Sequence, residues 1–104
     1  NMGQAGDFWG IHGYEFAGPA DRLKTIAHDT FGPLRHLKRL ADAEKTIGEW
    51  NHYEAIVDGG TVTLKINGVL VNQATGCEVV PGRILLTAEG QEIQFRNLRL
   101  TPKR

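Results

Sequence analysis

The chain is short of cysteine, of net charge and of long apolar runs, and each shortage removes a class of protein. Its one cysteine, Cys77, rules out an internal disulfide. Twelve basic residues are balanced by twelve acidic ones, so no overall field draws the chain to nucleic acid or to an anionic membrane. No apolar stretch approaches the roughly 20 residues that a spanning helix requires, and no membrane insertion is expected. The opening NMGQAGDFWG has neither the basic nor the apolar block of a signal peptide. Phosphate-cradling glycine loops and a nucleophile elbow are missing as well. Cys77 has no electropositive neighbour in sequence and is not expected to act as a nucleophile. The four histidines lack zinc-ligand spacing, so no metal or other cofactor is expected. A divalent ion is the minority alternative, because His28 and His36 fall in a segment that reads as a long loop.

What the chain does have is turns and alternation. Its 104 residues suffice for one domain, 1–104, and its 13 glycines suit many tight turns. The clearest stretch is 48–72. Val62, Leu64 and Ile66 alternate with Thr61, Thr63 and Lys65, giving a strand with one apolar face. Asn67-Gly68 supplies the two left-handed positions of a type I′ hairpin turn, and Val69 and Val71 then alternate with Leu70 and Asn72. Upstream, Tyr53, Ala55 and Val57 share a face of a third strand that ends at Asp58-Gly59-Gly60. A three-strand antiparallel meander follows.

The flanks are less regular. Residues 7–16, DFWGIHGYEF, read as one strand, with Phe8, His12, Tyr14 and Phe16 on one face and Asp7, Trp9, Ile11 and Glu15 on the other. Gly10 and Gly13 suggest a bulge or a close approach. Residues 18–47 read as a long loop with one helical turn, because Leu34, Leu37, Leu40 and Ala41 fit a helical stripe after Pro33. Beyond the meander, 83–89 and 92–101 read as strands, with Ile93 and Phe95 turned to the core. Strands separated by turn signals at this spacing predict an all-β antiparallel sandwich.

Four segments, GDFWGIHGYEF, EKTIGEWNHYE, VTLKINGVLVN and PGRILLTAEGQEIQFRNLRLTP, together resemble the 3-keto-disaccharide hydrolase domain family. The resemblance implies a concanavalin-like jelly roll of two curved sheets whose concave face holds a sugar. It further implies a glycoside hydrolase or lyase acting on sugars with a ketone at C3, or a module that only binds carbohydrate. A structural or assembly fragment without a site is the remaining alternative. A full jelly roll needs on the order of 130–180 residues, so the chain is expected to be the C-terminal portion of such a domain. A homo-oligomer or a companion chain would then complete the sheet. The sequence alone leaves the localisation unknown, and the resemblance implies a periplasmic or secreted protein.

Cleavage by paired carboxylates offers Asp7, Glu15, Glu49, Glu54, Glu89 and Glu92, and no spacing singles out two of them. A ketone at C3 allows another route, since it acidifies C2–H and permits β-elimination of the C1 substituent. That route needs a base, an acid and a group that meets the enolate oxygen. His12, Glu15 and His36 are the candidates for proton transfer and Arg96 for the oxyanion, with a salt bridge on the sheet as the plainer role of Arg96. Trp9 and Trp50 are the candidates for stacking on a carbohydrate ligand, and Thr87 and Glu89 for bonding its hydroxyls. For Trp50 and Asn51 the structural alternative is packing at a core edge and bonding a turn. The basic run Arg35, His36, Lys38, Arg39 is followed at once by Asp42 and Glu44 and reads as a solvated loop, not a nucleic-acid patch.

Overall fold

Six strands account for the regular structure of the computed structural model, which describes residues 5–11, 14–27, 29–30, 33–79 and 93–101. They are β1 (Phe8–Gly10), β2 (Leu23–Ile26), β3 (Leu34–Leu37), β4 (Tyr53–Asp58), β5 (Thr61–Ile66) and β6 (Val69–Ala74). Two antiparallel sheets result, ordered β1-β3-β2 and β4-β5-β6, and among the described residues there is no helix. The all-β antiparallel architecture expected from the alternation is therefore the one observed.

The meander forms as its turn chemistry requires. Asn67 and Gly68 have φ of 52° and 81°, the left-handed pair of a type I′ turn, and Gly59 turns β4 into β5 at φ 57°. Tyr53, Ala55 and Val57 pair with Ile66, Leu64 and Val62, so the predicted apolar residues do share one face. Simple alternation fails only in β6. The register jumps from Leu64↔Asn72 to Lys65↔Leu70, which leaves Val71 as the extra residue of a bulge. Both Val71 and Asn72 are buried as a result.

Asn67 does more than turn the chain. Its Oδ1 accepts from the His52 amide at 2.9 Å, and its Nδ2 donates to the Ala43 carbonyl at 2.8 Å and to Asn51 Oδ1 at 2.9 Å. Asn51 Oδ1 also accepts from the Lys45 amide. The hairpin tip thus holds the 43–51 segment in place, and Asn51 bonds a turn. Asn67→Gly keeps the backbone conformation and loses these bonds, so it should cost about 1 kcal/mol. Asn67→Ala adds the left-handed penalty and should cost about 2 kcal/mol. Urea unfolding of the two variants separates the two contributions.

Three expectations need correction. Residues 18–47 contain β2 and β3 rather than a loop with a helical turn. Leu34 and Leu37 are both buried, at 4% and 0% exposure, although strand geometry points them to opposite faces. β3 is the central strand, and with one leucine buried on each of its faces it shows no simple alternation. The strand at 7–16 is only three residues long: after Ile11, whose carbonyl accepts from the Tyr14 amide, the chain changes course. Residues 93–101 form no strand, and Ile93 and Phe95 are each 51% exposed instead of facing the core. The strand expected at 83–89 lies outside the described residues.

The sheets meet around Phe16, Leu37 and Ala74, with Phe8, Tyr14, Leu23 and Cys77 packed against them. Backbone bonds stitch the seam. Leu40 donates to the Val71 carbonyl at 2.7 Å, and Ala17 and Thr75 exchange two bonds at 2.6 and 2.9 Å. Asn72 is fully buried in this seam. Its Nδ2 donates to the carbonyls of Gly6 and Leu37, and its Oδ1 accepts from Arg22 Nη1 and the Gln73 amide. Gly6 can come so close because it has no Cβ; at its φ of 103° a Cβ would run into Val71.

Candidate functional site

Phe8, Leu37 and Leu23 are in register across β1-β3-β2 and belong to the core. Their chain neighbours Trp9, His36 and Lys24 are likewise in register, and strand geometry turns that row to the opposite face. On it the Trp9 and His36 rings are stacked, with centroids 4.0 Å apart and planes 9° from parallel. His36 Nε2 lies 2.9 Å from Asp7 Oδ2, and Asp7 Oδ1 accepts the Arg39 amide at 2.8 Å. The Asp7 side chain is 4% exposed and that of His36 17%.

This arrangement is chemically useful. The carboxylate accepts from Nε2–H, so the imidazole's other nitrogen, Nδ1, is the one left to take up a proton. Stacking on Trp9 limits rotation of the ring. Partial exposure lets it exchange protons with a ligand or with water.

The remaining candidates are placed elsewhere. Arg96 lies over Trp50, with its guanidinium carbon 3.8 Å from the ring centroid. That is a cation–π contact, worth about 0.5–1 kcal/mol at an exposed site, and among the described residues Arg96 forms no ion pair. Trp50 is 44% exposed. It precedes β4, so Trp9 with His36 and Trp50 with Arg96 form two separate pairs. Glu15 is exposed, and its amide donates to Glu78 Oε1 at 2.8 Å. It borders a cavity of about 140 Å³ with Tyr14, Thr25, Pro33 and Arg35. His12, Thr87 and Glu89 lie outside the described residues, as do His28 and Glu92.

A larger cavity of about 250 Å³ is bordered by Asp7, Phe8, Trp9, Tyr14, Phe16 and Cys77 among others, and His36 is not part of its wall. It is the open margin of the core, and the His36–Asp7 pair lies beside it. Burial pushes the Cys77 thiol up, against the lowering effect of a bond to the Val62 backbone, which suits an inert thiol. Both arginines of the basic run are engaged internally. Arg35 bonds the Phe16 carbonyl, and Arg39 bonds the Ala5 carbonyl and lies 3.5 Å from Asp42. Among the described residues no three His, Cys, Asp or Glu side chains gather as a metal-binding group.

Tyr53 marks the other sheet. Its hydroxyl donates to Glu44 Oε2 at 2.8 Å, and its pKa is pushed up to about 12 from 10.0, first by burial, then by the bond to Glu44 and that group's charge. The protonated phenol is therefore the form the fold favours. Its contribution is complete below pH 10.0 and is lost as the pH rises through about 12. A spectrophotometric titration should show one tyrosinate phase near pH 12 that disappears in Tyr53→Phe.

Asp7 was one carboxylate among six, and the separation of 29 residues between it and His36 gave no signal in sequence. Lys24 was not among the candidates at all. Only the register of β1 and β2 on β3 brings these groups together.

Fold and site define an antiparallel two-sheet β domain with a carboxylate-oriented imidazole on one sheet face. The chain belongs to the 3-keto-alpha-glucoside-1,2-lyase-like domain family, whose model matches residues 2–101. Membership places it among carbohydrate-related domains of lyase- and hydrolase-like character. Neither the curated proteins nor the solved structures contain a match to it.

Proposed function

We propose that the chain handles 3-keto-glucosides and cleaves them by elimination across C1 and C2, with His36 carrying the proton. The observation behind this reading is the His36–Asp7 pair, 2.9 Å apart and stacked on Trp9. A 3-keto sugar makes its C2 proton acidic enough for an imidazole base, and no redox cofactor is needed. Asp7 stabilises the imidazolium formed when the proton arrives. The same ring then returns the proton to the departing C1 oxygen, and water added to the resulting enone completes a net hydrolysis. Trp9 borders the place where the sugar ring would lie and excludes water from one side of it.

Incubation of the protein with a 3-keto-glucoside, followed by chromatography of the free alcohol and the sugar product, tests this. Release above the rate in buffer is the expected result, and no release at any pH between 6 and 9 (roughly the range in which an imidazole base works) would end the catalytic reading. A module that binds sugar without turnover is the second reading, favoured by the exposed ring of Trp50 under Arg96. It predicts sugar-dependent quenching of tryptophan fluorescence with no product.

A further inference from the structure

We propose that Lys24 supplies the positive charge that meets the C3 oxygen as the proton leaves C2. The inference rests on the elimination reading above and adds a catalytic residue to it. His36 is flanked in register by Trp9 on one side and Lys24 on the other. Side chains so paired share a face, with Cβ atoms about 4.5–5.5 Å apart. C2 and the C3 oxygen are only two bonds apart on the sugar, and the ends of neighbouring side chains on one sheet face can converge on so close a pair, so one sugar can touch both groups.

Four arginines among the described residues are committed. Arg22 bonds the Lys38 carbonyl and Asn72, Arg35 bonds the Phe16 carbonyl, Arg39 bonds the Ala5 carbonyl, and Arg96 covers Trp50. Lys24 is exposed, and its ammonium forms no ion pair among the described residues.

The step balances without any oxidant or reductant. The C2–H bond breaks and His36 gains the proton. The bonding pair forms the C2–C3 double bond, and the carbonyl pair moves onto the C3 oxygen beside the Lys24 ammonium. The pair then returns, a C1–C2 double bond forms, and the C1–O bond breaks. The leaving oxygen takes the proton from His36.

Two measurements on the full chain test the assignment. In the first, Lys24→Met should lower kcat for a 3-keto-glucoside about 10²–10³-fold, the usual loss for one oxyanion-stabilising donor, with KM changed much less. Lys24→Arg should recover most of the loss. Lys38→Met, one residue beyond β3, is the control and should leave kcat within about threefold, the scatter of surface substitutions. In the second, calorimetry with L-ascorbate under argon reads binding without turnover, because its monoanion carries charge on an enediolate oxygen. Lys24→Met should weaken that binding at least about tenfold, as loss of one charge-assisted hydrogen bond does. An unchanged kcat, a loss confined to KM, or equal ascorbate affinity in wild type and Lys24→Met each overturns the proposal. If the wild type turns over no 3-keto-glucoside, the elimination reading fails by itself, and the ascorbate comparison still decides whether Lys24 holds an enediolate oxygen.

Discussion

Asn72→Leu is expected to lower the unfolding free energy by about 3 kcal/mol, although leucine is similar in size and more apolar. The reason is what the amide leaves behind. Nδ2 serves two carbonyls, Gly6 at 2.9 Å and Leu37 at 3.0 Å, while Oδ1 accepts from Arg22 at 2.9 Å and the Gln73 amide at 3.0 Å. Each buried group that loses its partner costs about 1–3 kcal/mol. The apolar gain of leucine, about 1.5–3 kcal/mol for a side chain moved out of water, offsets only part of that sum. Asn72→Asp should be no better. An aspartate can still accept from Arg22, but its second oxygen would face two carbonyl oxygens where the amide donated. Thermal unfolding followed by circular dichroism should show a fall of roughly 10–20 °C for Asn72→Leu. A fall under about 3 °C would mean that Asn72 does not hold the sheets together.

The size of that effect follows from how the sheets are joined. The shared core centres on Phe16, Leu37 and Ala74, and the apolar face of β4 contributes little, with Tyr53 and Val57 at 49% and 63% exposure. With so few apolar contacts at the seam, the polar ones have more to do. Leu40–Val71, Ala17–Thr75 and Arg22–Asn72 all lie along it. The β6 bulge is what allows this, since it turns Asn72 inward directly after Val71.

Some of this was legible in the sequence, and the dividing line is physical. The meander was legible because its two signals are local: alternation along a strand and a left-handed Asn-Gly turn. β2 and β3 were not, because Leu34, Leu37 and Leu40 repeat at helical spacing and a central strand lacks alternation. Alternation alone was also insufficient at 93–101, where a strand needs a partner edge and none is described. Phe8, Tyr14 and Phe16 do share the core, as their alternation implied, yet a change of course near Ile11 brings Tyr14 and Phe16 there rather than a continuous strand. For the site, Trp9 and His36 were both singled out, but their stacking and the Asp7 bond are products of register. Register between distant strands has no local signature.

His36→Gln is expected to reduce cleavage of a 3-keto-glucoside about 10²–10⁴-fold, the range for loss of a positioned acid–base group. Glutamine can keep a hydrogen bond to Asp7 and some of the packing on Trp9, but it cannot accept a proton at neutral pH. Stability should therefore change little while the rate collapses. Asp7→Asn is the sharper test of the arrangement. The Asp7 carboxylate accepts from both His36 Nε2 and the Arg39 amide, one oxygen each, and an asparagine has a single oxygen for the two donors. If that oxygen stays with Arg39, the amide NH₂ faces Nε2 and forces the proton onto Nδ1, the nitrogen that acts as base in the proposed elimination. The expected result is a loss of about 10²-fold or more in kcat, together with a change in the imidazole nitrogen shifts that report the tautomer. A rate that survives Asp7→Asn while the tautomer inverts would show that the proton moves through some other group.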